Sequence, residues 1–268
     1  MANDGTQIAP VPAGGEDVTG AGLRRLSGLT GLLLLVQAVV LGIILALAPA
    51  RVVLPITLGL PGGRERIVLF AVDIGAGVIV LAMLVAVSRL VVVMPTVFPH
   101  YCSGVLSNRH TARWIEFLFS SSITLFLVAQ LNGISDIGAL VLSYAITSGM
   151  TLFSVLQERS VQSTSGRMLA LWFGAAIGIV PWGVIAFHQV AALVMGQPPS
   201  ALARVVTLTM LAFAFAFFVS HWRDQQRRDS VPSALAGERT HILLSFASTS
   251  VFAWLVAFGV LGVGNVHL

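Results

Sequence analysis

Apolar positions in this chain fall into seven long runs separated by short breaks that carry arginine, proline or glycine. The runs cover residues 26–48, 67–94, 112–131, 137–157, 168–192, 201–222 and 240–263. A bilayer's hydrocarbon layer, about 30 Å thick, is crossed by roughly 20 residues of helix, so each run predicts one transmembrane helix. No long polar insert interrupts them, and the economical reading is an all-α membrane domain of seven helices over residues 23–268. Residues 1–22, "MANDGTQIAPVPAGGEDVTGAG", are polar, acidic and rich in glycine and proline, which predicts a disordered tail. A cleavable signal would open on basic residues, so the first run is expected to be retained as a helix. Between the first two runs, "PARVVLPITLGLPGGRER" sets β-branched residues between proline and glycine. That pattern fits a short extended pair folded over the surface as well as it fits an irregular loop.

Composition strengthens the membrane reading: 56% of the residues are hydrophobic, 10% are charged and the mean hydropathy is +0.92. A chain so apolar cannot present a polar shell to water. All 15 basic side chains are arginine, and the 268 residues contain no lysine. The arginines sit at the ends of apolar runs, where they anchor helices at the interface, rather than on one soluble face as nucleic-acid binding would need. If the amino terminus is cytoplasmic, the inner segments hold Arg24, Arg25, Arg89, Arg109, Arg113, Arg159, Arg167, Arg223, Arg227, Arg228 and Arg239. The outer ones hold only Arg51, Arg64, Arg66 and Arg204. The bias predicts a multi-pass protein of the cell membrane with its amino terminus inside and its carboxyl terminus outside. Cys102 stands alone, without metal-ligand spacing around it. Neither a nucleophile with a base nor a phosphate loop is visible, so no enzyme is expected.

Candidate chemistry is concentrated in the third run, "ARWIEFLFSSSITLFLVAQL". A carboxylate inside a membrane helix is costly and marks a functional position by default; Glu116 is such a group, with Ser120 one turn on and Ser121 and Ser122 beside it. The plain alternative pairs Glu116 with Arg113 and lets the serines bond carbonyls one turn back. Asp73 is a second acid, expected one to two turns below the outer surface, where Arg66 or interfacial water could satisfy it. In the fifth run Pro181 frees the carbonyl one turn earlier and kinks the helix, Trp182 beside it could line a cavity, and Gly174 and Gly178 permit close helix packing. In the sixth, Phe213, Phe217 and Ser220 share one face and Phe215 and Phe218 another, suiting either an aromatic-lined cavity or contact with lipid. His188 and His221, near helix ends, are expected at the interface.

Several fragments in the same order resemble the heliorhodopsins: "LRRLSGLTGLLLLVQ", "RWIEFLFSSS" with "GISDI", "GIVPW", and "GERTHILLSFASTSVFAW". The resemblance implies a rhodopsin-like seven-helix bundle in the inverted orientation deduced from arginine, and a homodimer in which the first outer loop takes part. It also implies a retinal pocket, with Glu116 at the counterion position and Ser120, Ser121, Trp182, Trp254 and Gln37 as pocket positions. In that family a lysine of the seventh helix holds retinal as a protonated Schiff base. Here the pattern places Thr249 at that position. A threonine hydroxyl forms no imine and no lysine exists elsewhere in the chain, so a covalent retinal Schiff base is excluded apart from the terminal amine, leaving noncovalent retinal or lipid as the occupant to consider. Leu34 and Met83 stand where the family's inner histidines are expected. With no cation opposite it, burial favours the neutral form of Glu116 unless Arg113 turns toward it.

The leading expectation is therefore a lysine-less relative acting as a non-pumping regulatory, signalling or apolar-ligand-binding protein. The arginine-rich loop "HWRDQQRRDSVPSALAGER" would meet a cytoplasmic protein partner or anionic lipid. The alternative is a transporter or proton-conducting protein that uses Glu116 and Asp73 as relay groups.

Overall fold

The computed structural model describes residues 13–49, 51–63, 65–159, 168–226 and 231–263. In chain order the elements are α1 (Ala13–Leu47), β1 (Val53–Gly59), β2 (Arg66–Asp73), α2 (Ile74–Val92), α3 (Phe98–Leu106), α4 (Thr111–Leu131), α5 (Ile137–Arg159), α6 (Leu169–Val194), α7 (Ala201–Gln226) and α8 (Val231–Val263). Seven helices are long and apolar enough to cross a membrane, over Gly20–Leu47, Ile74–Val92, Thr111–Leu131, Ile137–Arg159, Leu169–Val194, Ala201–Gln226 and Pro232–Gly262. The molecule is a multi-pass integral membrane protein. Its outer surface agrees: Phe187 and Phe215 are 71% and 65% exposed, as side chains in contact with lipid would be.

Three boundaries differ from the sequence expectation. The second helix begins at Ile74, because residues 66–73 form β2, paired antiparallel with β1 from Val53↔Asp73 to Gly59↔Arg66 with an irregularity between Ile56 and Thr57. "IVLFAV" is apolar enough to extend a helix by hydropathy alone, yet its β-branched and aromatic residues favour a strand. Asp73 then stops the strand and caps α2, accepting a hydrogen bond from the Ala76 amide at 3.1 Å. The last helix starts about two turns ahead of residue 240, and α1 starts at Ala13, inside the stretch expected to be a disordered tail. Residues 1–12 lie outside the described residues. The break before α4 also contains a short helix, α3, with Pro99 in its first turn, where proline's missing N–H has no cost.

The core is built where α1, α2, α4 and α8 meet, around Leu34, Leu41, Val78, Leu81, Leu125, Val128, Phe252 and Val256. Lipid is as apolar as these side chains, so close packing rather than escape from water holds them together. Gly174 and Gly178 show how close the approach is: a methyl group at Gly174 would meet the Phe153 Cβ at 3.1 Å, and one at Gly178 would collide with Met150. The pair binds α6 to α5 within one chain. At one end of the bundle the hairpin is fastened to the start of α5, with the Thr57 amide donating to the Ser135 carbonyl at 2.8 Å and their hydroxyls 3.1 Å apart. The opposite end, capped by α3, holds the polar groups of interest.

Candidate functional site

Glu116 lies a turn and a half into α4 from the α3 end and is 3% exposed. The Ser245 hydroxyl of α8 donates to its Oε1 at 2.6 Å, and the Arg89 guanidinium of α2 pairs with its Oε2 at 2.5 Å. Arg89 is itself 5% exposed. It stands three residues before the end of α2, and α1 makes space beside it, since a methyl group on Gly31 would lie 2.9 Å from the Arg89 Cβ. Three helices are therefore tied through one carboxylate, and its cation comes from a helix the sequence reading had not considered.

Arg113, the cation expected to serve Glu116, turns the other way. It donates to Asp224 at 3.0 and 3.1 Å and to the Gly237 carbonyl at 2.7 Å, and its Nε stands 3.3 Å from Glu238. Gly237 permits this approach: a methyl group there would lie 2.5 Å from the Asp224 Oδ1. Glu238, fully buried, accepts a hydrogen bond from the Tyr101 hydroxyl at 2.8 Å and has the His110 Nδ1 at 2.7 Å. Burial and the adjoining Glu238 charge push the Tyr101 phenol well above its ordinary range. Glu158 accepts from the His110 amide at 2.7 Å and from the Trp114 indole at 2.5 Å. Two buried arginines thus face separate carboxylates, and this end of the bundle holds a connected ionic lattice.

Beside this lattice a cavity of about 110 Å³ opens between α4, α5, α6, α7 and α8. Roughly 10–15 Å³ of such space admits one water, so this one holds considerably more. Its apolar walls include Met150, Trp182, Met210, Phe213 and Phe217, and a hydroxyl edge runs through Ser120, Ser121, Thr147, Ser245, Ser248 and Thr249. Along α7 the lining extends from Met210 to His221, which at 1.5 Å per residue is about 16 Å. The expected pocket positions Ser120, Ser121, Trp182 and Thr249 come together here, and Glu116 adjoins through Ser245. Trp254 packs against the apolar core and Phe258, with ring centroids 5.7 Å apart, and Gln37 lies on α1 with its Oε1 buried. Neither is among the lining residues. Ser121 is partly spoken for, since its hydroxyl donates to the Phe117 carbonyl one turn back at 2.5 Å.

Further positions are corrected. His221 is not interfacial: it is 6% exposed, lines the cavity and stacks on His241 at 5.9 Å, within a ring cluster with Phe117 and Phe217. His188 is exposed on the outer face of α6. Asp73 caps α2 at the hairpin end and pairs with Arg51 at 3.8 Å, not with Arg66, so it shares no site with Glu116. Phe213, Phe217 and Phe218 line the cavity, while Ser220 and Phe215 border a separate groove between α7 and α8. Arg89, Glu238 and His241 were missed. "GERTHILLS" places Glu238, His241 and Ser245 on one helical face, a visible signal. Nothing in the sequence separates Arg89 from an anchoring arginine.

The heliorhodopsin family model matches residues 23–261. No curated protein is similar enough to this chain to count as a match. Retinal binding is general in the matched family, and this chain contains no lysine. The cavity wall offers hydroxyls, Thr249 among them, and no primary amine, so the residues present do not fit a retinal held as an imine there.

Proposed function

We propose, from the chain's membership of the heliorhodopsin family, that this is a non-pumping membrane protein whose cavity takes an apolar ligand, retinoid or lipid, without a covalent bond. The observation that carries the reading is the cavity itself: about 16 Å of apolar wall with a hydroxyl edge survives around a position where no amine is available. Occupancy would alter the separation of α6 and α7 beside the ionic lattice, a means of regulating a partner at the arginine-rich end. That end faces the cytoplasm in this reading, with the amino terminus inside, and the hairpin takes part in a homodimer outside. Transport by way of Asp73 and Glu116 has no support from the geometry, which places the two acids at opposite ends of the bundle.

Binding of all-trans-retinol to the purified protein in detergent, followed by energy transfer from tryptophan, tests the reading. Saturable binding that organic solvent reverses, and that Ala214→Phe in the cavity wall abolishes, is the expected result. Retinol uptake that does not saturate, or that Ala214→Phe leaves unchanged, would overturn it.

A further inference from the structure

The geometry points to Arg89 as an internal replacement for the cation that Glu116 faces in retinal-bearing relatives: a tethered guanidinium that keeps the pocket floor charge-balanced and makes the cavity selective for neutral ligands. Glu116 must be considered with every group around it. Arg89 approaches from α2, and Ser245 and His241 approach from α8, the latter with its Nε2 at 3.9 Å from Oε2. The only other arginine nearby on its own helix, Arg113, is committed to Asp224, Glu238 and the Gly237 carbonyl. An imidazole at 3.9 Å makes no hydrogen bond and is charged only when protonated, so among the described residues Arg89 is the one permanent cation within ion-pair distance of Glu116.

Placement makes this more than an incidental ion pair. Thr249 and Ser245 are one turn apart on α8, and both line the cavity. A lysine at 249, reaching back along its helix, would bring its nitrogen toward the Ser245–Glu116 pair. Arg89 already occupies the carboxylate oxygen that such a nitrogen would face. A guanidinium never gives up its proton in a protein, and it matches a carboxylate oxygen better than any mobile ion. The floor is thereby balanced without any ligand. A neutral polyene or acyl chain enters a site that is electrostatically complete, whereas a cationic amphiphile would bring an unpaired charge into a low-dielectric space.

The inference rests on the family reading for the meaning of position 249, but its first test does not. Infrared difference spectra between the chain and its Glu116→Gln variant should show a carboxylate band and no protonated carboxyl band. In Arg89→Gln, a protonated carboxyl band should appear, and it should vanish in Arg89→Gln/Glu116→Gln. A protonated carboxyl band from Glu116 in the unaltered chain, or none in Arg89→Gln, would overturn the assignment whether or not any ligand binds.

The second test adds retinal. Thr249→Lys reconstituted with all-trans-retinal should form an adduct absorbing in the near ultraviolet, as an imine denied its counterion does, and Thr249→Lys/Arg89→Gln should absorb in the visible. Visible absorption of equal position in both would contradict the replacement. If borohydride traps no adduct in either variant, the cavity reading fails, and the infrared result alone decides Arg89.

Discussion

Removing the guanidinium is the sharpest perturbation of the lattice. In Arg89→Gln, Glu116 keeps the Ser245 hydrogen bond but loses the one permanent cation within ion-pair distance among the described residues. Both partners are at least 95% buried. Two unit charges 4 Å apart attract by about 4 kcal/mol at an effective dielectric constant of 20, and cutting one partner from a buried pair typically costs about 3–5 kcal/mol. Glu116 has an escape that limits the loss. It can take up a proton, which for an ordinary glutamate at pH 7 costs about 4 kcal/mol. The Ser245 bond to a charged acceptor, worth about 1.5–3 kcal/mol, partly resists that change. A loss of about 3 kcal/mol is therefore expected. Glu116→Gln should cost at least as much, because the stranded guanidinium has no proton to release. The double variant pairs two neutral amides and should recover about 2–3 kcal/mol relative to the sum of the singles. Reversible unfolding in mixed detergent micelles, run on all four proteins of the cycle, gives the coupling directly. Additivity to within about 0.5 kcal/mol, the behaviour of independent sites, would refute the reasoning.

Further consequences follow from the same geometry. Gly237→Ala places a methyl group against the Asp224 carboxylate, so Arg113 loses a partner and stability should fall by about 1–3 kcal/mol in the same unfolding assay. In a Tyr144→Phe background the remaining phenol, Tyr101, should show no phenolate absorbance as the folded protein is taken above pH 10. Its folded-state value is raised, so its contribution to stability is complete below the unfolded value of about 10 and is lost as pH rises beyond it. Trp182→Ala should enlarge the cavity and lower retinol affinity by removing a wall, while Trp254→Ala, away from the lining, should leave affinity within about twofold and lower stability instead.

What the sequence reveals is set by how local each determinant is. Seven spans follow from run length alone, because a helix is the one structure in which a single apolar run of that length satisfies its own backbone in lipid. The end of the second run is misleading for a local reason: "IVLFAV" carries enough hydropathy for a helix, and only pairing with Val53–Gly59 identifies it as a strand. Glu116 and Ser120 are legible because a buried acid and a hydroxyl one turn away can be read within one segment, and Thr249, like Ser120, falls on the cavity wall. The choice between Arg89 and Arg113 as the partner of Glu116 depends on how α2 and α8 are placed against α4, and no spacing along the chain encodes that. Asp73 fails for the converse reason. An acid between two apolar stretches reads as an intramembrane group until the strand preceding it shows that it is a cap.

The central claim is that no side chain of this heliorhodopsin-family protein can hold a chromophore as an imine. Intact mass measured after expression with all-trans-retinal and borohydride reduction tests it most directly. The account predicts the mass of the unmodified chain, with any retinoid recovered in the organic extract. A species heavier by one retinyl group would contradict it.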